Sequence, residues 1–246
     1  MEISLSGPAV VTGAAMGIGR ATAELLSESG ADVIAVDRNS EGLATLRGMR
    51  TVCVDLADDD QRAELLAEYR GARYLVNAAG MMRMKDIFDF TAQDIRDIYA
   101  INVEAVWDLT SGFGKHMPSG GAIVNLSSVS ARLPTTLETA VYASSKAAVV
   151  SLTRSFAYAL ASRNVRVNAV LPGIINTEMQ DHVLAELARL RATTIEAISE
   201  ARLGMVPLHR EAEPRECAGL ICFLLSEYAS YLTGQAIVQD GGIVTG

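Results

Sequence analysis

Apolar and polar positions along the chain follow two alternating patterns. Short runs rich in β-branched residues are separated by longer stretches with apolar residues at helical spacing. The runs predict seven strands, with the sequences AVVTG, ADVIAVD, RTVCVD, RYLVNAAG, GAIVNLSS, NVRVNAVLPG and GQAIVQDGG. Strand and helix in alternation predict a parallel sheet, and runs as apolar as AIVNL predict strands covered by helices on both faces. We therefore predict an α/β fold with a doubly wound sheet, whose ligands bind at the carboxyl ends of the strands.

One long segment, at about residues 174–212, lacks a strand pattern. Its apolar residues recur at helical spacing, so we predict helices there. A helical excursion at the carboxyl edge of a sheet is where a lid over a substrate pocket lies, and the alternative is a pair of surface helices without function. We find no repeat, low-complexity tract or linker, and we predict one domain over residues 1–246.

Composition and charge exclude several classes of protein. The chain has 246 residues, half of them apolar, and a formal net charge of −8, with its arginines scattered rather than clustered, so nucleic-acid binding is not expected. No basic start followed by a long apolar run is present, and we expect a cytoplasmic protein. The three cysteines lack C-x-x-C spacing and are expected to be reduced core residues. The three histidines lie far apart, and no metal site is predicted.

A glycine-rich turn follows the first predicted strand. Gly13, Gly17 and Gly19 lie between that strand and a helix start, where backbone N–H groups and the helix dipole can face a pyrophosphate. The alternative is that the glycines merely permit a tight turn. The second strand ends in Asp37, close to the spacing expected for an acid that binds the adenosine ribose. Because its carboxylate would repel the 2′-phosphate of NADP, we predict NAD as cofactor, although Arg38 could in principle bind that phosphate.

A cation on an apolar helical stretch is the other unusual feature. Lysine is scarce here, and Lys146 follows Tyr142 by four residues in the segment VYASSKAAVV. This spacing puts both side chains on one face of a helix. A positive charge beside a phenol favours its ionised form, whose pKa is otherwise about 10. The alternative is a tyrosine in the core with a lysine whose ammonium reaches solvent.

Six motifs in order resemble the short-chain dehydrogenase/reductase family over nearly the whole chain. They are TGAAMGIG, NAAG at 77–80, Asn102 within AINVEAV, IVNLSS, the pair Tyr142 and Lys146, and PGIINT. The resemblance implies a Rossmann fold, hydride transfer between NAD(P) and an alcohol or carbonyl, and a homotetramer. The alanine-rich stretch KAAVVSLTRSFAYALA offers a helix face for packing between subunits.

The resemblance also assigns roles to individual residues. Tyr142 is implied to be the general acid/base, Lys146 to hold the nicotinamide ribose, Ser128 to align the substrate oxygen, and Asn102 to open a helix around a water that completes a proton path. The implied catalytic set is Asn102, Ser128, Tyr142 and Lys146. The implied cofactor contacts are Gly13, Met16, Gly17, Ile18, Gly19, Asp37, Asp55, Leu56, Asn77, Ala79, Gly80, Tyr142, Lys146, Pro172, Gly173, Ile175 and Thr177.

The choice of serine stays open between neighbours. Fourteen residues separate Ser128 from Tyr142, one more than the family commonly shows, so an insertion is expected between them. Ser127 and Ser130 are the alternatives. Strand alternation puts Ser127 and Ser128 on opposite sides of the sheet end, so only one can point into the site.

The substrate is expected to be a small polar secondary alcohol, such as a sugar, polyol or hydroxy acid. Segments near the predicted site contribute polar side chains, and a guanidinium at Arg132 could clamp a carboxylate. The set comprises Arg83, Arg132, Thr135, Thr136, Glu138, Glu178 and Gln180, several of which would alternatively face water. Two other functions remain: a 3-oxoacyl-[acyl-carrier-protein] reductase, and a non-catalytic nucleotide-sensing or scaffold protein.

Overall fold

All seven predicted strands form, and they make one sheet. The computed structural model of the chain describes residues 3–133 and 136–245. The strands are β1 (Gly7–Thr12), β2 (Ala31–Asp37), β3 (Arg50–Cys53), β4 (Tyr74–Asn77), β5 (Ala122–Leu126), β6 (Arg166–Pro172) and β7 (Ala236–Gln239). Their order is β3-β2-β1-β4-β5-β6-β7, and every neighbouring pair is parallel. The predicted doubly wound parallel sheet is confirmed.

Helices connect the strands, as the helical spacing predicted. They are α1 (Gly17–Glu28), α2 (Ser40–Ala44), α3 (Asp59–Tyr69), α4 (Ala92–Tyr99), α5 (Ala105–His116), α6 (Ala140–Ala161), α7 (Glu178–Leu190), α8 (Ile195–Leu203) and α9 (Pro214–Leu225). A π-helical turn, Ala100–Glu104, joins α4 to α5. Among the described residues, no helix is long and apolar enough to span a membrane.

The sheet has a hydrophobic core on each face because successive side chains of a strand point to opposite sides. In β1, Val11 packs in a cluster with Leu26 of α1 and Ile221 of α9. Val10 packs in a second cluster on the other face, which includes Phe113 of α5. Both faces are therefore buried, which explains the nearly continuous apolar strands.

The chain reverses its direction of winding between β1 and β4. From β1 the sheet extends to β2 and β3 on one side and to β4, β5, β6 and β7 on the other. Helices then leave the two central strands toward opposite faces, and a crevice opens at their carboxyl ends. Thr12, Asn77 and Asn125 are in register at that edge and mark its floor.

The segment at 174–212, named here the lid segment, is helical as predicted. It contains α7 and α8, which share a small cluster with Met84 from the loop after β4. The buried members from the two helices are Val183, Leu187, Ala188 and Ile198. This cluster is separate from the two that flank the sheet, so the lid segment packs on a small core of its own.

The cysteines are unpaired, and one of them differs from expectation. Cys217 and Cys222 are buried on α9, where burial raises the pKa of each thiol to about 12. Cys53 is exposed at the end of β3, so its prediction as a core residue was wrong. The reason is that β3 is the edge strand of the sheet. Three of its four residues, including Cys53, are exposed.

Candidate active site

A cleft of about 640 Å³ lies at the carboxyl edge of the sheet, and it brings most of the predicted residues together. Those that line it are Gly13, Met16, Gly17, Ile18, Gly19, Asp37, Asp55, Leu56, Ala79, Gly80, Ser128, Tyr142, Lys146, Pro172, Gly173, Ile175 and Thr177. Asn77 and Asn102 are the two predicted residues that lie beneath its surface.

The glycine turn is built so tightly that side chains are excluded. Gly13 has a φ of 68°, and a Cβ there would approach the backbone nitrogen of Ala79 to 2.7 Å. A Cβ on Gly19 would lie 2.1 Å from the carbonyl oxygen of Gly13. Helix α1 then begins without a side-chain cap or an acidic residue in its first turn. Its N-terminal N–H groups therefore face the cleft, as an anion site requires.

Asp37 is fixed at the end of β2 by two backbone groups. The amide of Ala15 donates to its Oδ2 at 3.1 Å, and the amide of Asn39 donates to its Oδ1 at 2.9 Å. These bonds orient the carboxylate while leaving further lone pairs on each oxygen. Arg38 also lines the cleft at this end.

Leu56, one of the predicted cofactor contacts, is held by an arginine that the sequence did not single out. Arg62 of α3 is buried and donates through Nη1 to the carbonyl oxygen of Leu56 at 2.7 Å. Its Nη2 also pairs with Asp108 of α5 at 2.8 Å. The signal in the sequence is weak, because an arginine within a charged helical stretch is normally a surface residue.

Asn77 does not contact the cleft, which corrects its prediction as a cofactor-lining residue. It is 2% exposed and donates through Nδ2 to Asn125 at 2.8 Å and to Thr110 at 3.1 Å. The side chain points into the layer between strands and helices because it is the last residue of β4. The loop after β4 is instead held by Thr12, whose hydroxyl accepts from the amides of Ala78 and Ala79.

Tyr142 and Lys146 lie on one face of α6, and both are buried. The Lys146 ammonium lies 5.6 Å from the centre of the Tyr142 ring and donates to the carbonyl oxygen of Leu126 at 2.9 Å. Ser128 follows β5 and lies near Tyr142, where its hydroxyl acts to lower the pKa of the phenol. Three residues from two elements thus meet at one point of the cleft.

The three candidate serines differ in the contacts that they make. Ser127 is turned toward α6, where its hydroxyl donates to the carbonyl oxygen of Lys146 at 2.8 Å. Ser130 uses its amide to donate to the Ser128 hydroxyl at 3.2 Å. Of the three serines, Ser128 is the one whose hydroxyl acts to lower the pKa of Tyr142, and it stays our prediction for the residue that aligns the substrate oxygen.

Burial disfavours the charged form of both groups on α6. It raises the pKa of Tyr142 to about 12, against the smaller opposing effect of Ser128, and lowers the pKa of Lys146 to about 8. The spacing of the two residues indicated only an attraction between ammonium and phenolate. In the free protein the loss of solvation disfavours the phenolate, and the phenol is neutral at pH 7.

Asn102 lies within the π-helical turn and is fully buried. Its Oδ1 accepts from the amide of Met81 at 2.8 Å, and its Nδ2 donates to the carbonyl oxygen of Met81 at 2.9 Å and to Ser145 at 2.9 Å. The side chain therefore ties the loop after β4 to α6. A π-helical turn is a single wide turn, which accommodates an inward amide of this kind.

Only some of the polar residues predicted to surround the substrate line the cleft. Thr136, Glu178 and Gln180 line the cleft, whereas Thr135 lies outside the described residues. Glu138 is held by Arg191 in two hydrogen bonds of 2.8 and 2.9 Å.

Two arginines of that set lie elsewhere. Arg83 pairs with Asp94 at 2.8 Å and Asp97 at 2.7 Å. Arg132 is exposed and donates to the carbonyl oxygen of Ala236 at 3.2 Å, so its prediction as a carboxylate clamp was wrong. The guanidinium points along the sheet toward β7, whereas the cleft gains Arg202 of α8, which sequence reasoning missed.

The residues present fit a dinucleotide cofactor. A glycine turn without space for a Cβ, an uncapped helix start and an oriented carboxylate line one side of the cleft. Pro172, Gly173, Ile175 and Thr177 line it farther along, and a Cβ on Gly173 would meet the Cα of Asp240 at 2.7 Å. Together the fold and the cleft define a nicotinamide-dependent oxidoreductase.

Comparison with known proteins identifies the family. A family model described as enoyl-(acyl carrier protein) reductase matches residues 13–244. The 3-oxoacyl-[acyl-carrier-protein] reductase FabG of Thermotoga maritima is 37% identical over 249 residues, covering 96% of each chain. The chain belongs to the short-chain dehydrogenase/reductase family, as its motifs indicated.

Solved structures of similar fold contain either form of the cofactor. L-sorbose reductase from Gluconobacter frateurii, complexed with NADPH and L-sorbose, superposes with a TM-score of 0.91 at 29% identity over 100% of both chains. A 4-hydroxyisoleucine dehydrogenase complexed with NADH gives 0.86 at 26% identity over 98% of this chain and 99% of that one.

Proposed function

We propose that the protein oxidises a secondary alcohol on a small polar molecule, with NAD as the hydride acceptor. The observation that carries this proposal is the meeting of Ser128, Tyr142 and Lys146 in one cleft with the glycine turn and Asp37. A scaffold or nucleotide-sensing protein would need the turn but would have no use for the buried pair on α6.

Each catalytic residue has a separate task in this proposal. Ser128 donates a hydrogen bond to the substrate oxygen and aligns it with Tyr142, whose phenolate accepts the hydroxyl proton during oxidation and whose phenol returns it during reduction. The bound cofactor supplies the hydride chemistry. Because burial disfavours the phenolate, the positive charge of Lys146 on the same helix face offsets part of that cost. Asn102 acts as a positioning residue, since it ties the loop after β4 to α6.

The choice of NAD rests on the fixed carboxylate of Asp37. Two backbone amides orient its oxygens, so the carboxylate cannot turn away from an incoming phosphate without losing both hydrogen bonds. Repulsion of a 2′-phosphate at a few ångströms costs about 1.4 kcal/mol after solvent screening, or roughly tenfold in affinity. Arg38 beside it is the residue that would offset this repulsion if NADP were preferred.

A polar substrate is supported by the side chains at the far end of the cleft. Thr136, Gln180 and Arg202 offer hydrogen-bonding groups there. Such groups lose their partners when a purely apolar molecule binds, which disfavours a steroid or a long acyl chain. The similar L-sorbose reductase is described with a sugar.

A second candidate is reduction of a 3-oxoacyl thioester. The 37% identity to the Thermotoga maritima enzyme favours it. Against it stand Asp37, which disfavours the phosphate of NADP, and the net charge of −8, which steers poorly toward an acidic carrier protein.

The proposal includes a cytoplasmic homotetramer. Tyr158 on α6 is 90% exposed in the single chain, and Trp107 on α5 is half exposed beside Phe156, with ring centres 5.0 Å apart. An aromatic surface of this kind on two adjacent helices suits contact with another subunit. Light scattering at micromolar concentration checks the assembly, and a monomer would contradict it.

Steady-state kinetics with both cofactors test the proposed function. We expect oxidation of secondary alcohols from a panel of polyols, sugars and hydroxy acids, with higher kcat/KM for NAD than for NADP. Asp37→Ala is expected to reduce that cofactor preference by about tenfold. Equal efficiency with both cofactors would refute the choice of NAD. Turnover confined to a 3-oxoacyl thioester with NADPH would establish the second candidate instead.

A further inference from the structure

Three cations line the cleft: Arg38, Lys146 and Arg202. Arg38 lies at the adenosine end, and Lys146 belongs to the catalytic group. Arg202 lies on α8 of the lid segment, and so far it has been described only as one of several hydrogen-bonding groups of the cleft. A charged group in a cleft is costly unless it has a partner, so its presence there requires an explanation.

Neighbouring cations have carboxylate partners, and Arg202 does not. Arg191 is held by Glu138 in two hydrogen bonds, and Arg83 by Asp94 and Asp97. Within residues 3–133 and 136–245, no carboxylate oxygen lies within ion-pairing distance, 4.0 Å, of the Arg202 guanidinium.

The hydrogen bonding of Arg202 is also incomplete. Its Nε is buried without a partner, and its Nη2 donates to Gln180 at 3.4 Å, near the upper limit for a hydrogen bond. Gln180 in turn donates to Glu211 at 3.4 Å. Burial lowers the pKa of the guanidinium, although the charge of Glu211 acts in the opposite direction. A buried donor without an acceptor costs about 1–3 kcal/mol, which a bound anion would recover.

Acidic residues of the cleft lie on its cofactor side. Asp37 and Asp55 line the adenosine end. The Glu178 carboxylate is near the glycine turn, 3.9 Å from where a Cβ on Gly17 would be. Among the residues that line the cleft, no carboxylate would therefore have to be displaced from Arg202, and Glu211, outside that lining, accepts from Gln180.

Part of the lining of the cleft is apolar and adaptable. Met81, Met82, Met179 and Met205 line the cleft together with Val183. Methionine side chains adjust to irregular aliphatic shapes. These walls suit a short carbon chain better than a ring covered with hydroxyl groups.

We propose that Arg202, oriented by Gln180, binds the carboxylate of the substrate, so that the cleft takes a hydroxy acid with a short aliphatic chain. The hydroxyl carbon lies at Ser128 and Tyr142, and the carboxylate accepts hydrogen bonds from the guanidinium. This inference rests on the proposed function, since it names the substrate class of the same site.

Matched acids and amides provide the test. The substrates are 2-hydroxybutyrate, 3-hydroxybutyrate and 4-hydroxypentanoate, each assayed with NAD beside its own carboxamide. We expect at least one acid to be oxidised with a kcat/KM about 10- to 100-fold above that of its amide, the range of a charge-assisted hydrogen bond. Arg202→Met is expected to remove that advantage through KM, so that acid and amide are oxidised with similar kcat/KM.

Two further variants separate binding from structure. Arg202→Lys keeps the charge but not the planar fork, and should retain part of the preference for acids. Arg189→Met removes an exposed arginine of α7 that pairs with Glu186, and should leave acid and amide kinetics unchanged. An Arg202→Met variant that lowers acid and amide activity equally would show a structural role and overturn the proposal, as would a wild-type enzyme without preference for acids.

A binding measurement makes the test independent of turnover. Isobutyrate and isobutyramide have the same shape and no hydroxyl group, and their dissociation constants are measured by ligand-observed NMR titration with NAD present. We expect tighter binding of isobutyrate, lost in Arg202→Met. If no alcohol is oxidised but this difference is found, the proposed function fails and the anion site stands. Equal binding of the two probes overturns the anion site.

Discussion

The two ends of the cleft are built differently. The cofactor end consists of backbone at strand ends, where Gly13 and Gly19 leave no space even for a Cβ. The substrate end consists of side chains on the lid segment, which rests on a small separate cluster and presents methionines to the cleft. The first end can accept essentially one shape of ligand, whereas the second can change its lining without disturbing the sheet. This difference explains how one fold keeps a cofactor while its substrates vary.

Replacing Tyr142 should have the largest effect, because its hydroxyl serves the chemical step and not the binding of NAD. Tyr142→Phe is expected to lower kcat by about 10²–10⁴-fold, because the hydroxyl moves the proton, while the dissociation constant for NAD changes less than about threefold. Stopped-flow and calorimetric measurements check the two quantities. A variant that kept more than about a tenth of the rate would show that another group carries the proton.

The rigidity of the cofactor end is tested at Gly19. Gly19→Ala puts a Cβ 2.1 Å from the carbonyl oxygen of Gly13, so the turn must shift and NAD affinity should fall by about 100-fold. Gly219→Ala is the matched control on α9, where no atom lies within 4 Å of the new Cβ. That control should stabilise the protein by about 0.5–1 kcal/mol. Unchanged NAD affinity in Gly19→Ala would refute the tight turn.

Lys146 predicts a pH dependence of stability. Its folded pKa of about 8 lies below the usual 10.5, so between these values the unfolded chain binds more protons and the free energy of unfolding rises with pH. From pH 7.5 to 9.5 the wild type should gain about 2 kcal/mol more than Lys146→Met. The raised pKa of Tyr142 acts only above pH 10. Urea unfolding at both pH values measures the difference, and parallel curves for the two proteins would contradict it.

The smallest effect on kinetics is expected from a substitution at the substrate end, because its lining can adapt. Leu187→Ala removes a buried side chain of the lid cluster and should raise the KM for the alcohol several-fold by loosening α7, with NAD affinity unchanged. Leu75→Ala in the sheet core should instead cost about 2–5 kcal/mol of global stability. Kinetics and urea unfolding of the two variants check this. A lid variant that also weakened NAD binding would show that the two ends are coupled.

The fold could be predicted almost entirely from the pattern of apolar and polar residues along the chain. Periodicity distinguishes strands from helices, and the glycine turn after β1 is a local feature whose backbone geometry only glycine adopts readily. The spacing of Tyr142 and Lys146 likewise fixes a shared helix face, because both residues lie on α6. Order and spacing along the chain sufficed for these features since each lies within one element or at one junction.

Contacts between distant segments could not be predicted in this way. The last residue of β4, Asn77, was expected in the cleft, yet its Nδ2 donates to Asn125 and Thr110 in the interior. Arg132 was chosen for its closeness in sequence to Ser128, but its guanidinium reaches β7. Arg202 is far along the chain from every motif, and packing of α7 and α8 brings it to the cleft.

The sequence by itself determined the sheet, the glycine turn and the pair on α6, because local periodicity and backbone sterics decide them. Tertiary structure decided which polar side chains reach the cleft, and it decided the protonation states of the pair on α6. Desolvation depends on every atom packed around a group, so the pKa values of Tyr142 and Lys146 cannot be read from their spacing.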